Sequence, residues 1–266
     1  MSVEQLGDGV YTASDRDHRS MFVLGDDGAV VLGGLGGVEQ PPQVAAVIAT
    51  IDHLDHSGAV AELADGAELV AHELCSRVME RRGARGQRPA DRLIRGEGEE
   101  LTLAGVRLRL LYPGPTQGTG NLAVHLPDHR VLFLVGPRAD ARYGLLPDFH
   151  LRHVTRCWRE LAALDVDVVV PGRGALMDRE QLIRAADYID ALKRAAQEAF
   201  AEGVPIWVIQ AMEPFVADRL RDRFGDLEGF DRHVGIGAIR VVHHYLMGGW
   251  GMEDTAQPEA LFDVSH

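Results

Sequence analysis

Lysine is almost missing from this chain: of its 27 basic side chains only Lys193 is a lysine. A high-GC genome produces that bias through codon usage, so it needs no functional cause. Basic charge is also in short supply overall, 27 against 40 acids, and the formal net charge is −13. A chain so acidic repels phosphate backbones, which argues against nucleic-acid binding. Cysteine is scarce as well. Cys75 and Cys157 are too few and too far apart for a disulfide framework or a zinc knuckle, and are expected to be buried thiols in a reducing compartment. Long apolar runs are absent; Val131–Val135 and Val166–Val170 are strand-length and far too short to span a membrane. The segment from Met1 to Gln5 has no basic stretch followed by an apolar one, so the expected location is cytoplasmic. What is present is a 46% hydrophobic fraction, ample for a core, and 12 histidines that raise the question of metal.

The first half alternates short strands with turns. Strands are expected at Gly9–Thr12, Ser20–Leu24, Ala29–Leu32, Val44–Thr50 and Glu68–Ala71, with Asp26-Asp27-Gly28 as a hairpin turn. Ser57–Ala64 reads as one short helix capped by Ser57 or Asp55. Between residues 75 and 95, seven arginines face only Glu80 and Asp91, and Gly83, Gly86 and Pro89 break any long helix. A second run of strands follows at Glu100–Leu103, Val106–Leu111, Leu122–Leu126 and Val131–Val135. The pattern then turns helical: Leu151–Leu164, a last strand at Val166–Val170, and a long helix from Asp178 to Glu202. In that helix Leu182, Ala186, Ile189, Ala196 and Phe200 share one face, and Asp178 with Gln181 forms a capping box. A further helix is expected from His233 to Leu246. His243 and His244 point to opposite sides of it, and His125 and His129 belong to an exposed hairpin. Trp207, Trp250, Phe215 and Met252 line a pocket, a dimer contact or, as the simpler expectation, the core.

One segment carries the chemistry. Thr50-Ile51-Asp52-His53-Leu54-Asp55-His56-Ser57-Gly58 follows a buried strand and precedes a helix. It resembles the Thr-His-x-His-x-Asp-His-x-Gly motif of the metallo-β-lactamase superfamily. Other pieces follow in that family's order: Gly33-Gly34, the loop Pro113–Leu122, and Val169-Val170-Pro171-Gly172-Arg173-Gly174. The resemblance spans roughly residues 5 to 200. It implies an α/β fold, the αββα sandwich of two mixed β-sheets flanked by helices, with a helical C-terminal extension. The expected division is residues 1–203 for the sandwich and 204–266 for an extension packed on it.

The resemblance also implies a two-metal site, and here the chain departs from it. The first histidine position is Ile51, the loop histidine is Gln117, and the final histidine is Arg173. Gly136 and Pro137 stand where the bridging aspartate belongs, and neither ligates by side chain. Only His53, Asp55 and His56 keep ligand-type residues. A catalytic zinc needs about three good protein donors, so no metal cofactor is expected. If a single zinc or iron is bound, its ligands are Asp55, His56 and His53, or a set rebuilt with His18, His72, His150 or His153.

The resulting expectation is a metal-independent enzyme for a small organic molecule, in a bacterial biosynthetic pathway. His53, Asp55, His56 and Arg173 would perform acid–base chemistry: elimination, cyclisation, isomerisation or hydrolysis. The Arg173 guanidinium would take over part of the metal's work by binding an oxyanion. Gln117, Arg81 and Arg85 are the substrate-binding candidates, the arginines because a local excess of positive charge steers anions. The substrate would then be anionic or linked to coenzyme A or a carrier protein, and the oligomer a homodimer. The alternatives are a catalytically silent binding or scaffold protein, in which Arg173 plugs a dead site, and a one-metal hydrolase.

Overall fold

In the computed structural model, residues 2–34, 41, 43–143 and 149–244 are described. The first sheet has seven strands in sequence order: β1 (Ser2–Gly7), β2 (Val10–Asp15), β3 (His18–Gly25), β4 (Gly28–Leu32), β5 (Val44–Ala49), β6 (Glu68–His72) and β7 (Arg92–Ile94). Its first four strands run antiparallel, and β4 to β7 are parallel. The second sheet contains β8 (Gly98–Leu103), β9 (Val106–Leu111), β10 (Ala123–Leu126), β11 (Val131–Leu134) and β12 (Val168–Pro171), in the order β12-β11-β10-β9-β8. Only its β11–β12 pair is parallel.

Successive strand residues point to opposite faces, and the apolar runs divide accordingly. Val30 and Leu32 of β4 and Ala46 and Ile48 of β5 enter the core between the sheets, against Leu108, Leu110, Val124 and Phe133. Val31, Val47 and Ala49 face outward and are covered by α2 (Val60–Leu63) and α3 (Glu73–Arg82). The outer face of the second sheet is covered by α4 (Val154–Ala162) and α5 (Arg179–Ala201), on which α6 (Ile209–Phe224) and α7 (Phe230–His244) pack in the same apolar cluster. The order of layers is α/β/β/α.

Several expectations are corrected. The helix expected over Ser57–Ala64 is two short pieces, α1 (Leu54–Ser57) and α2, separated by Gly58, where a Cβ would sit 2.4 Å from the Leu54 carbonyl oxygen. Neither Ser57 nor Asp55 caps it: His53 is the N-cap residue and Asp55 lies inside the first turn. β1 and β7 were not legible, because β1 is almost wholly exposed and β7 has three residues, one of them arginine. His125 is buried at 3% exposure, since its strand β10 lies between β9 and β11 rather than on an open hairpin. Phe200 and Trp207 stand 58% and 61% exposed, outside the core, where α5 ends and the chain turns toward α6. Trp250 and Met252 lie outside the described residues. The capping box of Asp178 and Gln181 is present, and both cysteines are buried.

Candidate functional site

The site forms where the C-terminal ends of β5, β11 and β12 meet the start of β3. At the end of β5 the chain turns sharply into α1. The His53 carbonyl accepts the amides of His56 and Ser57, both at 2.9 Å, and the Ser57 hydroxyl at 2.8 Å. The Gly34 amide holds the His56 carbonyl at 2.6 Å. Asp52 does not face the site. Its carboxylate pairs with Arg82 at 2.6 Å, and its carbonyl accepts both from Arg82 and, at 2.5 Å, from Gln87. Gln87 also donates to Ser57 Oγ at 2.6 Å. Part of the arginine-rich stretch therefore clamps the motif loop from behind. Arg81 and Arg85 are exposed beside that clamp.

Asp55 is the centre of the site. Its Oδ2 receives Arg173 Nη2 and His18 Nε2, the latter at 3.1 Å, and lies 3.7 Å from His56 Nε2. His18 and Arg173 are neighbours because β3 begins opposite the loop after β12: the two residues form a backbone bridge, and the Arg19 amide donates to the Gly172 carbonyl at 2.9 Å. Burial alone would raise the Asp55 carboxyl, but the charges of His56 and Arg173 and the hydrogen bonds of Arg173 and His18 bring it down to about 2. Burial drives His56 down to about 4, with Asp55 opposing and Arg173, His18 and His53 reinforcing. His56 is thus neutral near pH 7, and Arg173 is the cation that holds Asp55 ionised there.

The His56 shift makes stability depend on pH. The folded chain keeps this imidazole uncharged down to about pH 4, whereas the unfolded chain protonates it near 6.5. The contribution is therefore complete above 6.5 and is lost as pH falls toward 4, by about 2 kcal/mol between pH 7 and pH 5. Asp55 titrates below that window. Urea unfolding at the two pH values measures the loss, and His56→Gln should remove most of the slope.

Gly172 is required here by crowding. A Cβ at this position would lie 2.8 Å from a Val135 methyl and 2.9 Å from His56 Cε1. Gly172→Ala is expected to cost about 1–3 kcal/mol through overpacking and to push His56 toward Asp55. A shift in the unfolding midpoint measures the cost, and an unchanged midpoint would show that the two neighbours yield freely.

A pair of catalytic metals does not fit these residues. Ile51 is apolar and 1% exposed, Gly136 has no side-chain donor, and the Asp55 carboxylate is already held by the Arg173 guanidinium. Among the described residues, no group of three His, Cys, Asp or Glu side chains is arranged to hold a metal ion. Of the histidines considered for a rebuilt set, only His18 bonds to Asp55. His72 instead accepts the Leu74 amide and stacks on Tyr112, and His153 begins α4. His150 is buried, its amide bonded to the Thr116 carbonyl.

Beside Arg173 lies a cavity of about 280 Å³. Gln117, Gly136 and Arg173, the three positions where later ligands would stand, all line it, and so do Arg138 and Arg142 from the loop after β11. Arg81 and Arg85 do not. His53 sits under the 117–118 turn, its Nε2 3.7 Å from where a Gly118 Cβ would be. Arg138 was not visible as a site residue in the sequence. It is 7% exposed and grips Asp140 and Asp17 with both edges of its guanidinium, at 2.8 to 3.2 Å.

Residues 18–173 match the family model of the metallo-beta-lactamase superfamily. The chain belongs to that superfamily. Among solved structures, the metallo-beta-lactamase from Pontibacter korlensis superposes with a TM-score of 0.61 at 20% identity, over 71% of this chain and 98% of that one. A metallo-beta-lactamase from Hirschia baltica gives 0.60 at 23%, over 71% and 96%. These likenesses bear on the fold. Two relatives are nearer in sequence. The beta subunit of 2,4-dinitroanisole O-demethylase from Nocardioides sp. (strain JS1661) is 40% identical over 98% of this superfamily member and 87% of its own length. The alpha subunit from the same strain is 32% identical over 96% and 82%. Among the described residues no helix is long and apolar enough to cross a membrane.

Proposed function

We propose that this chain is a subunit of a metal-independent enzyme that hydrolyses an activated aryl alkyl ether. The observation that carries the reading is the cavity itself: three of the four positions at which the chain abandons metal ligands, Gln117, Gly136 and Arg173, converge on one pocket, beside an intact Asp55 and His56. Both relatives are subunits of an enzyme that removes a methyl group from the oxygen of a dinitro-substituted aromatic ether. That chemistry supports a degradative role rather than the biosynthetic one expected from composition.

The proposed reaction needs no oxidant. Water attacks the ring carbon that bears the alkoxy group and gives a proton to His18. His18 Nε2 is committed to Asp55, so Nδ1 carries the lone pair that takes the proton, and Asp55 steadies the imidazolium. Water's lone pair forms the new C–O bond, and the π pair it displaces from the attacked carbon passes into the ring and its electron-withdrawing substituents, where Arg173 stabilises the charge. The C–O bond to the alkoxy group then breaks, and the leaving oxygen takes the proton back as an alcohol. Ether and water give a phenol and an alcohol, and the count closes. His56, neutral and 2% exposed, lies with Nε2 3.7 Å from the Asp55 carboxylate and without a hydrogen-bond partner among the described residues.

A second reading has one specific support. The ion pair to Arg173 satisfies Asp55 within the chain, as it would in a silent subunit that serves a catalytic partner of the same fold. The test is to assay the chain alone, and together with a second subunit of the same superfamily, for phenolate release from 2,4-dinitroanisole. Turnover that disappears with His18→Ala or Asp55→Asn in this chain supports the proposal. Turnover indifferent to both supports the silent reading.

A further inference from the structure

The cavity beside Arg173 has a composition of its own that says what it holds. Its wall carries two aromatic rings, Tyr143 and Phe149, set edge to face with centroids 6.4 Å apart. Both rest on Trp158, at 6.3 and 6.1 Å, so the wall is a rigid aromatic cluster rather than a pair of loose side chains. Tyr143 is pinned further, because its hydroxyl accepts the Arg138 amide at 2.8 Å and donates to the Arg138 carbonyl at 3.1 Å. At Gly136 the floor is bare backbone with φ of 126°, a conformation glycine adopts freely and other residues do not.

Three arginines line the cavity, each paired to a carboxylate, and it is their remaining donors that face it. Asp17 is the one acid lining the cavity among the described residues, and Arg138 takes both of its oxygens. Arg142 is shared between Asp140 and Glu228 and remains 41% exposed. Arg173 spends one Nη on Asp55, and its buried Nε has no acceptor among the described residues. His233, from α7, adds an imidazole to the three guanidiniums. Aromatic faces with arginine donors at their edge select a flat ring that carries negative charge or acceptor oxygens on its rim. A volume of about 280 Å³ lies at the small end of ligand pockets and gives room for one substituted ring.

We propose that this cavity is a binding site for a single aromatic ring bearing nitro or phenolate oxygen, and that it holds the phenolate more tightly than the neutral ether. The identity of the occupant rests on the ether-cleaving reading; the chemistry of the pocket does not. Arg142 is then a specificity residue: half-exposed, it contributes charge to the rim without carrying the fold. Since α7 and the turn before it supply His233 and Glu228, the C-terminal helices belong to the site and not only to the core.

The probe is 2,4-dinitrophenolate, followed by calorimetry with the purified full-length chain, with unsubstituted anisole as the uncharged comparison. Dinitrophenolate is expected to bind one per chain, at least ten times more tightly than anisole. Arg142→Gln should weaken it about tenfold, and Phe149→Leu should weaken both ligands, with circular dichroism unchanged in each variant. Dinitrophenolate affinity that is equal in wild type and Arg142→Gln, or no tighter than that of anisole, overturns the proposal. Binding with this pattern in a chain that cleaves no ether leaves the pocket standing and removes the hydrolytic reading. Ether cleavage with phenolate affinity indifferent to Arg142 does the reverse.

Discussion

Arg138→Ala is expected to destabilise the protein by about 3–5 kcal/mol, the range found when one partner is removed from a buried ion pair. Arg138 is the only cation that reaches both Asp17 and Asp140 among the described residues, and both Arg138 and Asp140 are under a tenth exposed. Burial works against the guanidinium charge, and the two carboxylates outweigh it, so the arginine is charged more firmly than usual. Asp140 would keep the Arg142 amide at 2.8 Å and Arg142 Nε at 3.0 Å, which compensates part of its charge. Asp17 would lose its tie altogether, and with it the link between the β2–β3 turn and the loop after β11. In thermal unfolding the loss corresponds to a midpoint about 10 °C lower. Arg138→Met with both Asp17→Asn and Asp140→Asn should recover part of it, because the cost lies in the carboxylates left without their cation and not in the missing contact. A loss under about 1 kcal/mol for the single change would show that water reaches Asp140 as readily as the cation does.

The same residue shows where sequence reasoning ends. The sheets were legible because alternating apolar residues divide between two faces, as Val30, Val31 and Leu32 do in β4. The motif loop was legible because its glycine, aspartate and histidines are contiguous. A buried arginine announces nothing: Arg138 looks like any surface cation until Asp17, 121 residues earlier, is brought against it. His18 was one of four histidines bordering the site, and only the closeness of the β3 start to the loop after β12 singles it out as the partner of Asp55. Arg82 and Gln87 lay within a stretch read as a local excess of positive charge that steers anions, yet they point inward to Asp52 and Ser57. Each of these is a contact between a polar side chain and one distant in sequence, which no local period encodes. The exposed Trp207 is the converse case: its apolar character suggested core, but the core cluster on α5 is already filled by Met212, Val216, Leu220 and Phe224 from α6.

Arg173→Ala should lower ether-cleaving turnover by about 100- to 1,000-fold, the usual cost of removing one donor that stabilises charge in the transition state. The change falls on kcat rather than KM, because the charge Arg173 meets develops only after water has added to the ring. Its side chain is 27% exposed, and surface-facing ion pairs contribute little to stability, so the variant should fold as the parent does. Asp55 would keep the bond from His18 at 3.1 Å, which leaves the proposed base in place and isolates the guanidinium's part. Arg173→Lys should rescue only a small share, since an ammonium cannot hold Asp55 and a second oxygen with the planar fork of an arginine. In a silent subunit the expectation inverts: Arg173→Ala would leave the turnover of the assembled enzyme unchanged, and the freed Asp55 carboxylate would show itself only as a small loss of stability. The two outcomes differ by at least two orders of magnitude in rate, so one variant, assayed in the assembly, decides whether the arginine in the metal's place works as a catalyst or as a plug.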